Sequence, residues 1–338
     1  MRQLFRLPFA LAAGALVVTA ASTAFAAADP GLLPKHEEIV KAPDKKPEGW
    51  LPALTLGASV SLSSNSNVVG QPDGSSWTFG LNLLGRLDFL AGIHDLRNTL
   101  KIQEQFNRTP VIDAWVKTAD QLLFESIYYL KLNDKVGPFA SFRLETPLFR
   151  GYDVRQTAVT YVDAADGTVI ATDRRRLRLT EALQPLALKE ALGVFYRPIE
   201  QKPLEINVRA GFGAQETFAA GGRVLTDDAA TPEVEVTALT DFVQAGVVID
   251  LSAKGELEGG RITYGAHAEV MFPLANSDPT NRSVIDLTNF DLGAKISFKL
   301  FAWASLDYEV KAFRQPALVD AWQIQNNLLL TFSYALVE

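Results

Sequence analysis

The sequence predicts an all-β chain that closes into a transmembrane, antiparallel up-and-down β-barrel of about 12 strands, with short periplasmic turns and long extracellular loops. Three observations predict it. Apolar side chains recur at every second position, short and long connections alternate along the chain, and charges inside the strands fall almost entirely on one face.

Composition narrows the chemistry first. The chain has 338 residues, 48% hydrophobic and 21% charged, with a mean hydropathy of +0.07. The net charge of −7 argues against a nucleic-acid partner, whose phosphates need a basic footprint. Cysteine is absent, which excludes a disulfide scaffold, a thiolate zinc site and a cysteine nucleophile. Only His36, His94 and His267 are available for imidazole chemistry.

Residues 1–26 read as a cleaved signal peptide: a basic start with Arg2 and Arg6, an apolar run from Leu7 to Ala21, and a small-residue site at Ala24-Phe25-Ala26. The alternative is a retained anchor, because the uncharged stretch continues to Ala28. Cleavage leaves 312 residues near net charge −9, exported to the outer membrane of a Gram-negative-type bacterium. Residues 27–49, with Pro30, Pro34, Pro43, Pro47 and the Lys41–Lys46 stretch, read as a flexible periplasmic leader. Residues 50–338 form the barrel. Its longest uncharged stretch, Trp50 to Pro72, is too rich in Ser and Asn for a membrane helix.

In 76–90 the odd positions are Trp77, Phe79, Leu81, Leu83, Leu87 and Phe89, against Thr78, Asn82, Arg86 and Asp88. In 322–336 the even positions include Trp322, Ile324, Leu328, Leu330, Phe332 and Tyr334, against Gln323, Gln325, Asn327 and Thr331. The same alternation marks strands at 52–63, 95–106, 121–132, 138–149, 186–197, 204–216, 242–253, 261–272, 287–299 and 304–313. That last strand also resembles the aromatic-rich C-terminal signal recognised by the barrel-insertion machinery, although Val337-Glu338 follows. Links after the even-numbered strands are short, as in Ala91–His94 and Leu300–Trp303. Those after strands one, three, five, seven and nine run from a dozen residues to more than thirty. A soluble sandwich or an apolar-cored barrel is the competing solution, but neither requires this alternation.

With the apolar face outward, the inner face carries ten basic residues: Arg86, Arg97, Lys101, Lys131, Arg143, Lys189, Arg209, Lys295, Lys299 and Lys311. It carries nine acidic ones: Asp88, Glu125, Glu145, Glu205, Asp250, Glu269, Asp291, Asp307 and Glu309. Only Glu104 and Glu190 fall on the lipid face, which places both near a rim. Aromatics cluster toward strand ends, forming two girdles. The lumen charges nearly cancel, for example through Arg143 beside Glu145 and Lys311 beside Asp291 and Asp307.

At Lys117-Thr-Ala-Asp120, Glu125-Ser126-Ile-Tyr128-Tyr129, Gly137-Pro138-Phe139-Ala-Ser141, Leu144-Glu-Thr146 and Gly151-Tyr152 the sequence resembles a bacterial domain-of-unknown-function family of predicted outer-membrane barrels. The pattern covers most of 50–338 and is specific over about 95–155. It departs at the first hairpin, where Asn65-Ser-Asn67 to Gly70 replaces the family's Asn-Trp and Gly-Gly stretch. The resemblance implies location and fold, not a substrate.

Two functions stay open: a narrow, passive, porin-like channel for small solutes, and an occluded structural or surface-binding barrel acting through its long loops. Loop 151–185 reads as a hairpin, with Thr157–Val162 and Thr168–Thr172 around Asp166-Gly167. It is followed by Arg174, Arg175, Arg176 and Arg178, which either hold lipopolysaccharide phosphates or form a solvated return strand. Loop 217–240 reads as a second hairpin or an acidic cap; Asp227 and Asp228 alone make a poor calcium site. No cofactor, metal or enzymatic activity is expected. His94 falls in a periplasmic turn, and His267 beside Glu269 is the nearest approach to an acid/base pair. Gly211-Phe-Gly213 lies inside a strand and is no phosphate loop. The expected partners are outer-membrane lipids, lipopolysaccharide and the insertion machinery.

Overall fold

The computed structural model describes residues 48–65, 74–112, 114–228, 230–278 and 280–337. The export signal and nearly all of the leader lie outside the described residues. The same is true of most of the first long loop.

Twelve strands close the barrel: β1 (Gly49–Asn65), β2 (Gly74–Ala91), β3 (His94–Arg108), β4 (Val116–Leu130), β5 (Val136–Thr146), β8 (Leu186–Gln201), β9 (Leu204–Phe218), β12 (Phe242–Leu257), β13 (Ile262–Asn276), β14 (Asn289–Phe301), β15 (Ala304–Gln315) and β16 (Val319–Val337). Neighbours in this order pair antiparallel. β16 returns to β1 in the register Thr55↔Ala335 and Ala58↔Phe332, which leaves no open barrel edge. Each expected strand therefore exists, displaced by a few residues at its ends. The largest shift is at β4, which begins at Val116 and not at 121; β5 ends at Thr146 and not at 149, because Pro147 stops the pairing.

The four other strands build a second sheet in the order β10-β11-β6-β7: β6 (Gly151–Asp163), β7 (Val169–Thr180), β10 (Arg223–Leu225) and β11 (Val234–Ala238). The hairpin expected in loop 151–185 forms with its turn at Asp166-Gly167, where Gly167 takes φ 73°. The hairpin of loop 217–240 forms too. The two are joined by a parallel pairing of β11 with β6, Val234↔Tyr161 and Val236↔Asp163, which puts both loops into one sheet. Tyr161, Leu179, Val234 and Val236 give that sheet its own buried core.

Connections depart from the expected lengths on the long-loop rim. The links 147–150, 181–185, 219–222 and 277–288 are substantial or enclose the second sheet, but β3 to β4 takes only 109–115 and β15 to β16 only 316–318. The strands extend further than the periodicity suggested and absorb the difference. On the opposite rim 92–93, 202–203 and 302–303 are two-residue turns.

The outward face is a belt of large apolar side chains that protrude well beyond the wall, with Leu192 at 66%, Phe212 at 65% and Leu328 at 67% exposure. A continuous belt of that kind is stable in hydrocarbon and unstable in water. Aromatic pairs border it. Trp50 with Phe89 (5.0 Å) and Phe301 with Trp303 (5.3 Å) lie at the short-turn rim, and Phe290 with Trp322 (5.6 Å) at the other.

Candidate functional site

Period two sends every charged residue assigned to the inner face into the lumen, because the residues flanking it in sequence carry the belt. Twelve tilted strands spaced about 4.8 Å enclose a backbone cylinder about 25 Å across, and long side chains from both walls occupy most of it. A charge buried among such side chains is costly unless it is paired.

The pairs observed are mostly cross-strand. Arg143 on β5 donates to Glu125 on β4 at 2.8 Å, and Arg209 on β9 to Asp250 on β12 at 3.0 Å. Lys295 on β14 reaches Asp307 (3.4 Å) and Glu309 (3.0 Å) on β15. Lys254 meets Glu205 at 3.3 Å, Arg86 meets Asp88 at 3.0 Å, and Glu145 accepts from Gln121 at 2.9 Å. Lys101 and Lys299 share the inward face.

Two pairings correct the expectations and one adds to them. Arg143 bonds to Glu125, which stands directly opposite it on the paired strand. His267 faces Asp291 at 3.2 Å and sits against Gly293, whose missing side chain makes room for the ring. Glu269 instead binds Lys189 at 2.9 Å. Lys311 is buried, and its Nζ has no hydrogen-bond partner, so the expected bonds to Asp291 and Asp307 do not form.

Several lumen residues escaped the sequence reading. Asp95, 1% exposed, gathers Arg97 and Lys131 at 3.0 Å and Arg197 at 3.7 Å. The Arg197 guanidinium lies over Tyr129 (4.5 Å) and Phe195 (4.9 Å), which pack edge to face beside Ile127 and Phe139. These side chains fill one side of the lumen toward the short-turn rim. Asp95 and Arg197 are the end residues of the strands expected at 95–106 and 186–197, in phase with the inward Arg97 and Lys189, so the alternation already reaches both. At the other end Gln121, Gln215, Gln244, Asn289 and Gln323 are buried amides, with Asn289 donating to Gln244 at 2.8 Å.

Between these ends lie two cavities. Each is small, about 40 Å³: one is lined by Arg143, Lys189, Asp250 and Glu269 with Phe139 and Met271, the other by Arg86, Arg97, Glu205, Lys254 and Tyr129. Glu125 and Arg209 line both. Val248, which lines the first cavity, packs over Gly213, where a Cβ would collide with it.

The outer wall qualifies two expectations. Glu104 stands opposite Asp120, which pairs with Lys117 and accepts from the backbone of Leu148 (2.6 Å) and Phe149 (2.9 Å) near the long-loop rim. Glu190 is exposed between Phe142 and Ala214, four residues below the upper end of β8. His94 is not in a turn: it opens β3 on the outer wall, 2.6 Å from the Tyr128 hydroxyl. The four arginines lie on β7 of the second sheet, outside the barrel wall. Among the described residues no cluster of His, Asp and Glu is arranged to hold a metal ion.

A closed antiparallel barrel with an apolar belt, aromatic rims and a charge-paired interior defines a membrane-spanning β-barrel protein. Solved barrels that resemble it include the translocator domain of the autotransporter NalP from Neisseria meningitidis (TM-score 0.34, 9% identity, covering 86% of this chain and 90% of that one). The β domain of the Bordetella autotransporter BrkA is another (0.33, 12%, 85% and 98%). A third is the deltaS2S3 mutant of the monoaromatic hydrocarbon channel TodX (0.34, 8%, 86% and 91%). No family model and no curated protein matches the sequence.

Proposed function

We propose that this barrel is a narrow, passive channel for small polar solutes in the outer membrane of a Gram-negative-type bacterium. On this reading the export signal is cleaved, the insertion machinery places the short turns in the periplasm, and the long loops face outward among lipid and lipopolysaccharide. The observation that carries the reading is that two charge-lined cavities lie inside the barrel and share Glu125 and Arg209 as lining, so that polar groups run along the lumen from Arg97 to Glu269. Because the flanking charges are paired, the lumen favours neither cations nor anions strongly. The barrel acts by conduction and not by catalysis.

Reconstitution of the pure protein in a planar bilayer tests this. Discrete, weakly selective conductance steps are expected, and a silent bilayer rejects the channel. The second reading, a surface-binding barrel, is favoured by the ordered second sheet on the long-loop rim. Deleting 155–180 separates the two: a channel stays open, whereas a binding function is lost.

A further inference from the structure

Arg174, Arg176 and Arg178 occupy alternate positions of β7, so they project from one face of the second sheet at intervals of about 7 Å. The residues between them on the other face include Leu177 and Leu179, which are packed into the core of that sheet. Arg175 turns away and donates to the carbonyl of Gln156 at 2.9 Å. The row is therefore anchored from behind, and its charged ends are exposed.

Two contacts orient it. The Arg176 guanidinium stacks on the Tyr152 ring at 3.6 Å. At the foot of the row, Arg178 (2.6 Å) and Arg150 (2.9 Å) share the carboxylate of Glu181. Four guanidinium groups thus face one carboxylate, an excess of positive charge in a chain of net charge −7. The foot is flanked in sequence by Phe149 and Leu183, both more than half exposed, at the junction where the barrel wall gives way to the sheet. Exposed apolar side chains next to arginines at a barrel rim mark the depth of lipid headgroups.

We propose that this face of β7 binds the phosphate groups of an outer-leaflet glycolipid headgroup. Planar guanidinium groups match phosphate oxygens in pairs, and stacking on Tyr152 fixes one of them in advance. The site does not depend on whether the lumen conducts. It depends on the orientation proposed above, with the long-loop rim outward.

The test uses the full-length protein in detergent with diphosphoryl lipid A as probe, followed by native mass spectrometry. Arg174→Gln/Arg176→Gln/Arg178→Gln should weaken binding about tenfold or more, and dephosphorylated lipid A should bind the wild type as weakly. Inorganic pyrophosphate should compete only at far higher concentration. Heat-modifiable gel migration reports whether the triple variant keeps its barrel; Arg174→Gln alone, on an exposed position, serves if it does not and should still weaken binding measurably. Unchanged affinity in a folded variant, equal binding of the dephosphorylated lipid, or displacement by equimolar pyrophosphate each overturns the proposal.

Discussion

Lys189 and Glu269 meet at 2.9 Å although the strands that carry them, β8 and β13, are separated by β9 and β12. The pair is a chord inside the barrel, spanning about 14 Å of wall. Removing Lys189 alone leaves a mostly buried carboxylate without its partner and should cost about 3 kcal/mol. Lys189→Ala/Glu269→Ala together should cost clearly less and should raise single-channel conductance. Urea unfolding in detergent and bilayer recording check the two halves. Additive stability losses with unchanged conductance would count against a chord that narrows the path.

Asp95 concentrates three cations on one carboxylate. Asp95→Ala should therefore be the more damaging change at the short-turn end, by about 3–5 kcal/mol, because Arg97, Lys131 and Arg197 are left to repel one another around Tyr129. The temperature of the heat-modifiable shift should fall well below that of Asp88→Ala, whose pair with Arg86 is more exposed.

Glu190 faces lipid with apolar or small cross-strand neighbours. Glu190→Leu should stabilise the barrel by about 1 kcal/mol in lipid, since a carboxylate within the apolar belt is unfavourable. No gain, or a loss, in folding titrations into vesicles would place this carboxylate at headgroup depth or against a partner.

Loop 277–288 is held by Asp278, which accepts from Arg282 at 2.8 Å and from Thr280 at 2.6 Å, while Arg282 also donates to the carbonyl of Pro316. These bonds, Arg282 first, hold the Asp278 carboxyl well below the ordinary carboxylate range. A depressed value stabilises the loop above the unfolded pKa near 4 and is lost only as pH falls through the lower folded value. Protease sensitivity of this loop should be flat from pH 8 to about 5. Asp278→Asn should raise it at neutral pH.

The architecture was legible because lipid outside and charge inside impose a period of two that local sequence reports directly, as in β2 and β16. The partner of each charge was less legible. Strand position shows that Lys189 and Glu269 face inward, but which residue a long side chain reaches depends on register summed over three strands. The arginines of β7 stood out as a run, whereas the parallel pairing of β11 with β6 left no mark, because Val234-Glu-Val236 is too short to carry a pattern.

That parallel pairing also sets an order of assembly. β6 and β7 are a hairpin between β5 and β8, but β11 arrives only with the chain between β9 and β12, some seventy residues later in sequence. Until it docks, Tyr161 and Leu179 lack the valines that cover them, and the first hairpin is an incomplete product. Its last step waits on the closing half of the barrel, so any change that delays closure there should first be felt in the sheet that bears the arginines.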